Sequence, residues 1–242
     1  MKQLSGRFSR VASATLISAA ALAATSAQAI VFPLSGPSNN SGDTLSATVE
    51  FLIAGTTLTV IVTNTQATAS SDGGDVLDGV YFDIAGNPGL SNGNVFLEGS
   101  SSFVNKNNVA AVGGPLNEKW MYDTNVLGRM YAMGSTGFPA FNQNTDSFDE
   151  VFHGGNPGTA AGSNSDYGIV PILGITAGNT SNVYVNNALR FTFDLPGTIS
   201  ESDISNVWVS YGSSGDTILT PEPASMAALA LGAVALIRRR RR

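Results

Sequence analysis

From residue 45 to residue 62 the chain alternates. Leu45, Ala47, Val49, Phe51 and Ile53 are apolar and interleave with Ser46, Thr48 and Glu50. After Ala54-Gly55-Thr56 the pattern resumes, with Leu58, Val60 and Val62 set between Thr57, Thr59 and Thr63. Successive side chains of a strand point to opposite faces, so a period of two produces one apolar and one polar face. Two such runs joined by a glycine-containing turn predict a β-hairpin with one face against a core. At Asn64 an apolar residue is due and the alternation stops. The polar stretch from there to Gly74 reads as a loop.

The same pattern recurs downstream. Residues 76–84 predict a third strand, followed by a loop over 85–94 dense in Gly, Asn and Pro. Residues 95–97, 103–104, 109–112 and 126–133 are short strand candidates. Residues 145–152 predict one or two helical turns capped by Thr145 or Asp146, and 154–166 a Gly/Asn/Ser loop. Strands resume over 169–175 and 183–185. Leu189, Phe191, Phe193 and Leu195 alternate with Arg190, Thr192 and Asp194, and Val207, Val209 and Tyr211 with Trp208 and Ser210. No window sustains a helical period beyond about two turns. The expectation is a mostly β body of about nine or ten short strands, an antiparallel β-sandwich with long Gly/Asn/Ser loops.

The two ends differ from this body. Lys2, Arg7 and Arg10 precede a short apolar run over 11–24, and Ala27-Gln28-Ala29 is a small-x-small cleavage sequence. These features predict a secretory signal peptide over 1–29, cut after Ala29, and a mature chain starting at Ile30. At the other end Thr220-Pro221-Glu222-Pro223 precedes an apolar run from Ala224 to Ile237, and Arg238 to Arg242 are five arginines. A helix over 224–237 would reach about 21 Å, short of a hydrocarbon core of about 30 Å. The run therefore predicts a short transmembrane helix, a temporary hold in the inner membrane with its arginines on the cytoplasmic side. Two prolines keep the preceding segment extended.

Net charge depends on where the ends are drawn. The whole chain carries −6, but eight of its 12 basic residues lie in the two end segments. The body, 30–219, keeps Lys106, Lys119, Arg129 and Arg190 against 17 acidic residues, a net charge of −13. Nucleic-acid binding needs clustered Lys and Arg, so this body is no nucleic-acid binder. With no cysteine, thiol catalysis and Cys-based metal sites are excluded, and packing alone must hold an exported domain of this size.

Pro221-Glu222-Pro223, a short Ala/Leu/Gly helix and a terminal Arg cluster together resemble the PEP-CTERM sorting signal of Gram-negative bacteria. The resemblance covers residues 220–242, about a tenth of the chain. It implies recognition of Pro221, Glu222 and Pro223 by an exosortase, a transpeptidase-like membrane enzyme, after export by the general secretion machinery. It also implies a final location at the cell surface or in the extracellular matrix, with exopolysaccharide as a partner. Residues 76–84 and 204–212 further resemble segments that recur in a subset of PEP-CTERM surface proteins, a likeness that implies no chemistry.

Three patterns in the body are open to a chemical reading. Asp72, Asp75 and Asp78 cluster where a loop enters a strand. They read either as turn-forming, solvated acids or as a weak Ca²⁺ site, and their spacing matches neither an EF-hand nor a nonapeptide repeat. Asp146, Asp149 and Glu150 form a second acidic group with the same two readings. Trp120, Tyr122, Tyr131, Phe138 and Phe141 make an aromatic middle segment, either core or a carbohydrate-stacking surface. Gly89-Leu90-Ser91-Asn92-Gly93 matches G-x-S-x-G, with Asp146, Asp149 and His153 following in hydrolase order. A nucleophile elbow needs a strand before the serine and a helix after it, and neither is predicted. The expectation is a non-enzymatic, exosortase-sorted surface or matrix protein without catalytic residues or a cofactor. A carbohydrate- or Ca²⁺-binding surface module is the alternative, and a Ser hydrolase through Ser91 and His153 is more remote.

Overall fold

The structure is a computed structural model and describes residues 28–135, 167–177, 181–212 and 216–220. It contains thirteen strands: β1 (Gln28–Pro37), β2 (Thr44–Ala54), β3 (Thr57–Asn64), β4 (Leu77–Ile84), β5 (Ser91–Leu97), β6 (Ser102–Val104), β7 (Trp120–Val126), β8 (Arg129–Ser135), β9 (Ile169–Val170), β10 (Tyr184–Asn186), β11 (Ala188–Asp194), β12 (Ile204–Tyr211) and β13 (Asp216–Leu219). Helical backbone among the described residues is confined to 3-10 turns such as Gly73–Asp75. Residues 1–27 of the predicted signal peptide, the helical turns over 145–152 and the C-terminal apolar run lie outside the described residues, whereas Gln28 and Ala29 open β1.

The leading hairpin forms as the alternation requires. Ala54 pairs with Thr57 across a two-residue turn, and Gly55 takes the left-handed φ of +62° that such turns assign to glycine. A second tight hairpin joins β7 to β8, with Val126 opposite Arg129 and positive φ at both Leu127 and Gly128. The single strand expected over 126–133 is therefore the last residue of β7, the turn at Leu127-Gly128 and the first five residues of β8. Among the described residues, seven of the nine non-glycine residues with positive φ are asparagines, which is why loops so rich in Asn close tightly.

Two sheets result. One has five strands in the order β1-β2-β3-β11-β5; the other has eight, running β13-β12-β4-β9-β10-β6 with β8 on β4 and β7 on β8. All pairings between strands are antiparallel except β9 with β10. The apolar faces of both sheets form one core, with Val49, Phe51, Val60, Leu189 and Phe191 from the first and Val80, Phe82, Tyr131, Met133, Val207 and Val209 from the second. Aromatic rings bridge the layers: Phe51 meets Phe82 at 5.0 Å, Trp120 meets Phe191 at 5.2 Å and Tyr122 meets Phe193 at 5.4 Å. Edge-on and tilted contacts of this kind add to the burial of large rings.

Several expectations change. Asn64 does not open a loop. It is the last residue of β3, buried, with its side-chain amide donating to Ile169 O at 3.0 Å and its Oδ1 accepting from the Gln66 N–H at 3.1 Å. Its place in the alternation is a core place, and a polar side chain fills it because two backbone groups there need partners. The loop expected over 85–94 gives up Ser91 to Asn94 to β5. Residues 109–112 contribute one isolated bridge, Ala110 with Val104, rather than a strand. The segments 76–84 and 204–212 are neighbours, since β4 and β12 pair from Ile84 with Ile204 to Leu77 with Tyr211.

Candidate functional site

The aromatic middle segment is core. Trp120, Tyr122 and Tyr131 are at most 2 % exposed, and the Trp120 indole N–H donates to Tyr167 O at 3.0 Å. They present no face to a sugar, which removes carbohydrate stacking at these three positions; Phe138 and Phe141 lie outside the described residues. Ser91 is exposed and opens β5 opposite Asp194. A strand begins at this serine, where an elbow would have a strand end and a helix start, so G-x-S-x-G lacks its required frame. His153, Asp146, Asp149 and Glu150 lie outside the described residues.

Asp72, Asp75 and Asp78 go three ways. Asp72 caps the 3-10 turn, its Oδ1 accepting from the Gly74 N–H at 2.7 Å. Asp75 is fully buried and accepts from the Ser38 hydroxyl at 2.6 Å. Asp78 is fully buried on β4 and accepts from the Ser210 hydroxyl at 3.3 Å. Among the described residues no three acidic or imidazole side chains converge as a metal ion would need. Asp75 and Asp78 each bury one carboxylate oxygen without a hydrogen-bond partner, as Tyr211 does its hydroxyl. Burial pushes Asp78 well above the ordinary carboxylate range, against the opposing bond from Ser210. Burial, and then the nearby Asp78 and Asp75 carboxylates, raise the Tyr211 hydroxyl above its ordinary value.

These groups belong to one corner of the sandwich, where three loops meet under β13. The loop after β1 supplies Ser38, whose oxygen also accepts from the Asn40 and Ser41 N–H groups at 3.1 Å. The loop before β4 supplies Asp75, and Ser71, whose hydroxyl donates to Asp43 at 2.6 Å. The end of β12 supplies Gly212, which donates its N–H to Val76 O at 2.8 Å. A Cβ on Gly212 would fall 2.3 Å from the Gly74 backbone, so only glycine permits the approach.

β13 rests on this corner. It is four residues long, lies at the edge of its sheet and pairs only with β12, from Tyr211 with Asp216 to Trp208 with Leu219. Asp216 is clamped from outside the sheet. Its Oδ2 accepts from the Asn39 backbone N–H at 2.9 Å and its Oδ1 from the Asn39 side-chain amide. Ile218 lies against Gly36 of β1, where a Cβ would meet its Cγ1 at 3.2 Å. A groove of about 290 Å³ runs between these two strands, lined by Ser35, Pro37, Thr217 and Leu219 among others. Beyond β13, Thr220 donates its N–H to Val207 O at 3.1 Å, and Pro221 follows.

The sequence from this point on is recognisable. The PEP-CTERM protein-sorting motif matches residues 219–242, starting on the last residue of β13. The chain carries a PEP-CTERM tail. The motif indicates exosortase-dependent sorting to the cell surface, and it implies exosortase as the processing partner. Its Pro221, Glu222 and Pro223 fall within the match, outside the described residues. No curated protein and no solved structure matches the chain. Among the described residues no helix is long and apolar enough to cross a membrane, and the apolar run 224–237 lies beyond them. Ala27 also lies outside the described residues, whereas Ala29 sits in β1 opposite Leu52. Cleavage after Ala29 would leave Ile30, opposite Phe51, as the first residue of the edge strand.

Sequence reasoning missed β1, most of β7, and β13, the strand on which the PEP-CTERM match begins. A signal existed for β1 in the alternation of Ile30, Phe32 and Leu34, with Pro33 and Pro37 suited to an edge. For β13 there was almost none, since Ile218 alone contributes to the core cluster.

Proposed function

We propose that this is a non-enzymatic surface protein whose β-sandwich is the cargo of its PEP-CTERM tail, with a structural or interaction role in an exopolysaccharide matrix. One observation carries the reading: the motif begins on the edge strand of a sandwich in which several acidic side chains hold hydrogen bonds within the fold. Asp72 caps a turn, Asp75 and Asp216 tie loops together, and Asp83 accepts from Arg129, the Met130 N–H and Asn206. Surface acids and Asn-rich loops supply a hydrated exterior suited to a polysaccharide gel.

The test has two arms in an exosortase-bearing host. Replacing Pro221, Glu222 and Pro223 with alanine should retain the protein in the membrane fraction at unprocessed mass; unchanged fractionation and mass would sink the sorting route. The protein released to the surface should co-sediment with the host's purified exopolysaccharide. If it stays in the supernatant at every polymer concentration, and its gene deletion leaves the matrix unaltered, the matrix role falls.

A further inference from the structure

Leu219 is shared between two functions. It is the last residue of β13, paired with Trp208, and the first residue of the sorting motif. Thr220 is still hydrogen-bonded to Val207, so the fold runs to the residue before Pro221. Only Pro221, Glu222 and Pro223 separate it from Ala224, where the apolar run starts. Three extended residues reach at most about 11 Å. A compact body of this size has a radius of gyration of about 16 Å. An enzyme gripping the tail at the membrane surface would collide with the sandwich before enclosing the three residues.

We infer that β13 peels from β12 when the tail is processed, so that the segment presented to the exosortase begins at Asp216. The inference rests on the exosortase reading and names the stretch of chain which that enzyme engages. Freed, residues 216–223 span up to about 28 Å, enough to move the body clear.

The construction of β13 suits release. It has one hydrogen-bonded neighbour and open groove on the other side. Thr217 and Leu219 are exposed, and Leu219 keeps 51 % of its surface in solvent. Ile218 is its sole member of the main core. β12 stays in place without it, because β12 is paired on its other side to β4 at both ends, from Ile204 to Tyr211 across a register shift between Ser205 and Trp208. The peel has a stop. The Asn39 clamp on Asp216 is the last latch to open, and Gly212, seated against Gly74, holds the chain before it, so unzipping from Thr220 ends once Asp216 is free.

The test uses the full-length chain in an exosortase-bearing host. The protein has no cysteine, so Trp208→Cys with Leu219→Cys introduces one cross-strand pair at the exit, free of competing thiols. Disulfides form in the exported, oxidising compartment. Cleavage of a transiently opened segment tracks its open population, so the oxidised double variant should be processed at least about tenfold more slowly than either single variant. Added reductant should restore the rate, which also shows that the double variant folds. Asp216→Asn, which weakens the clamp, should speed processing about threefold. An oxidised chain processed as fast as the single variants overturns the inference, as does an Asp216→Asn chain that is processed more slowly. The alanine replacement of Pro221, Glu222 and Pro223 separates the two claims. If it blocks processing while the oxidised chain is cut normally, only strand release falls; if it changes nothing, the exosortase reading falls with it.

Discussion

Asn39 holds Asp216 with both of its nitrogens across 177 residues of sequence, the backbone N–H on Oδ2 and the side-chain amide on Oδ1. The contact joins the loop after the first strand to the start of the last. It spans the open edge of the sandwich, where the two sheets share no ladder. Hydrogen bonds to a carboxylate are the stronger kind, and Asp216 is only 6 % exposed.

Removing the amide should loosen the last strand first. Asn39→Ala should lower stability by about 1–2 kcal/mol, read from the denaturant midpoint at constant slope. Amide exchange should quicken at Ile218 and Thr220 and stay unchanged at Val49. Uniform quickening across both sheets would mean that the clamp serves the whole fold and not the edge.

Asp78 predicts a pH dependence of one sign. Its folded pKa is raised by burial, so the native state binds more protons than the unfolded state above the ordinary carboxylate value of about 4. Its contribution therefore erodes stability as pH rises through the raised folded pKa. Asp78→Asn keeps an acceptor for the Ser210 hydroxyl and removes the charge. The variant should be more stable than the parent at pH 7, with the advantage disappearing by about pH 4. Urea titrations across that range would show it, and equal stabilities at pH 7 would refute the buried charge.

Asp83, five residues along the same strand, predicts the opposite sign. Burial pushes it up, but the Met130 N–H, Asn206 and Arg129 outweigh that and hold it below the ordinary value. Arg129 lies 3.0 Å from its carboxylate and stacks on Trp208 at 4.0 Å to the ring centre. A lowered folded pKa adds stability above the unfolded value and loses it as pH falls through the folded one. Asp83→Asn should therefore cost stability at pH 7 and match the parent in strong acid. A gain at pH 7 would contradict the hydrogen-bond set.

Two glycines with nearly equal backbone should respond unequally to alanine. Gly55 at φ +62° has open space where a Cβ would go, and Gly212 at φ +57° has the Gly74 backbone 2.3 Å away. Gly55→Ala should cost about 1 kcal/mol, the strain of a left-handed residue. Gly212→Ala adds a backbone clash and should cost about 3 kcal/mol or more. Similar melting temperatures for the two variants would mean that the corner yields to the added methyl.

How much was readable follows from how local each signal is. The hairpin over 44–64 was legible because Leu45 to Val62 state both the period and the turn within a short window. The PEP-CTERM tail was legible for a similar reason, since three ordered parts lie within 23 residues. Asn64 was misread because a polar residue on a core face makes sense only once Ile169, 105 residues away, presents its carbonyl. Trp120, Tyr122 and Tyr131 suited a core better than a sugar platform, and the contacts of Phe191, Phe193 and Phe82 against them decide for the core. Asp72, Asp75 and Asp78 looked like a cluster by spacing, yet a cap, a loop tie and a strand position put them in different surroundings.

By itself, then, the sequence determined the β class, the first hairpin, the acidic and cysteine-free character of the body, and the sorting tail. Each is set by neighbours in the chain: side-chain alternation, turn residues, composition and a contiguous motif. Only the tertiary structure decided that Asn39 meets Asp216, that β4 and β12 lie side by side, and that residue 219, where the sorting motif begins, closes a four-residue edge strand. Those relations depend on which strands pair and which loops converge. Pairing is settled by the burial of two apolar faces against each other, and no single segment of the chain contains that information.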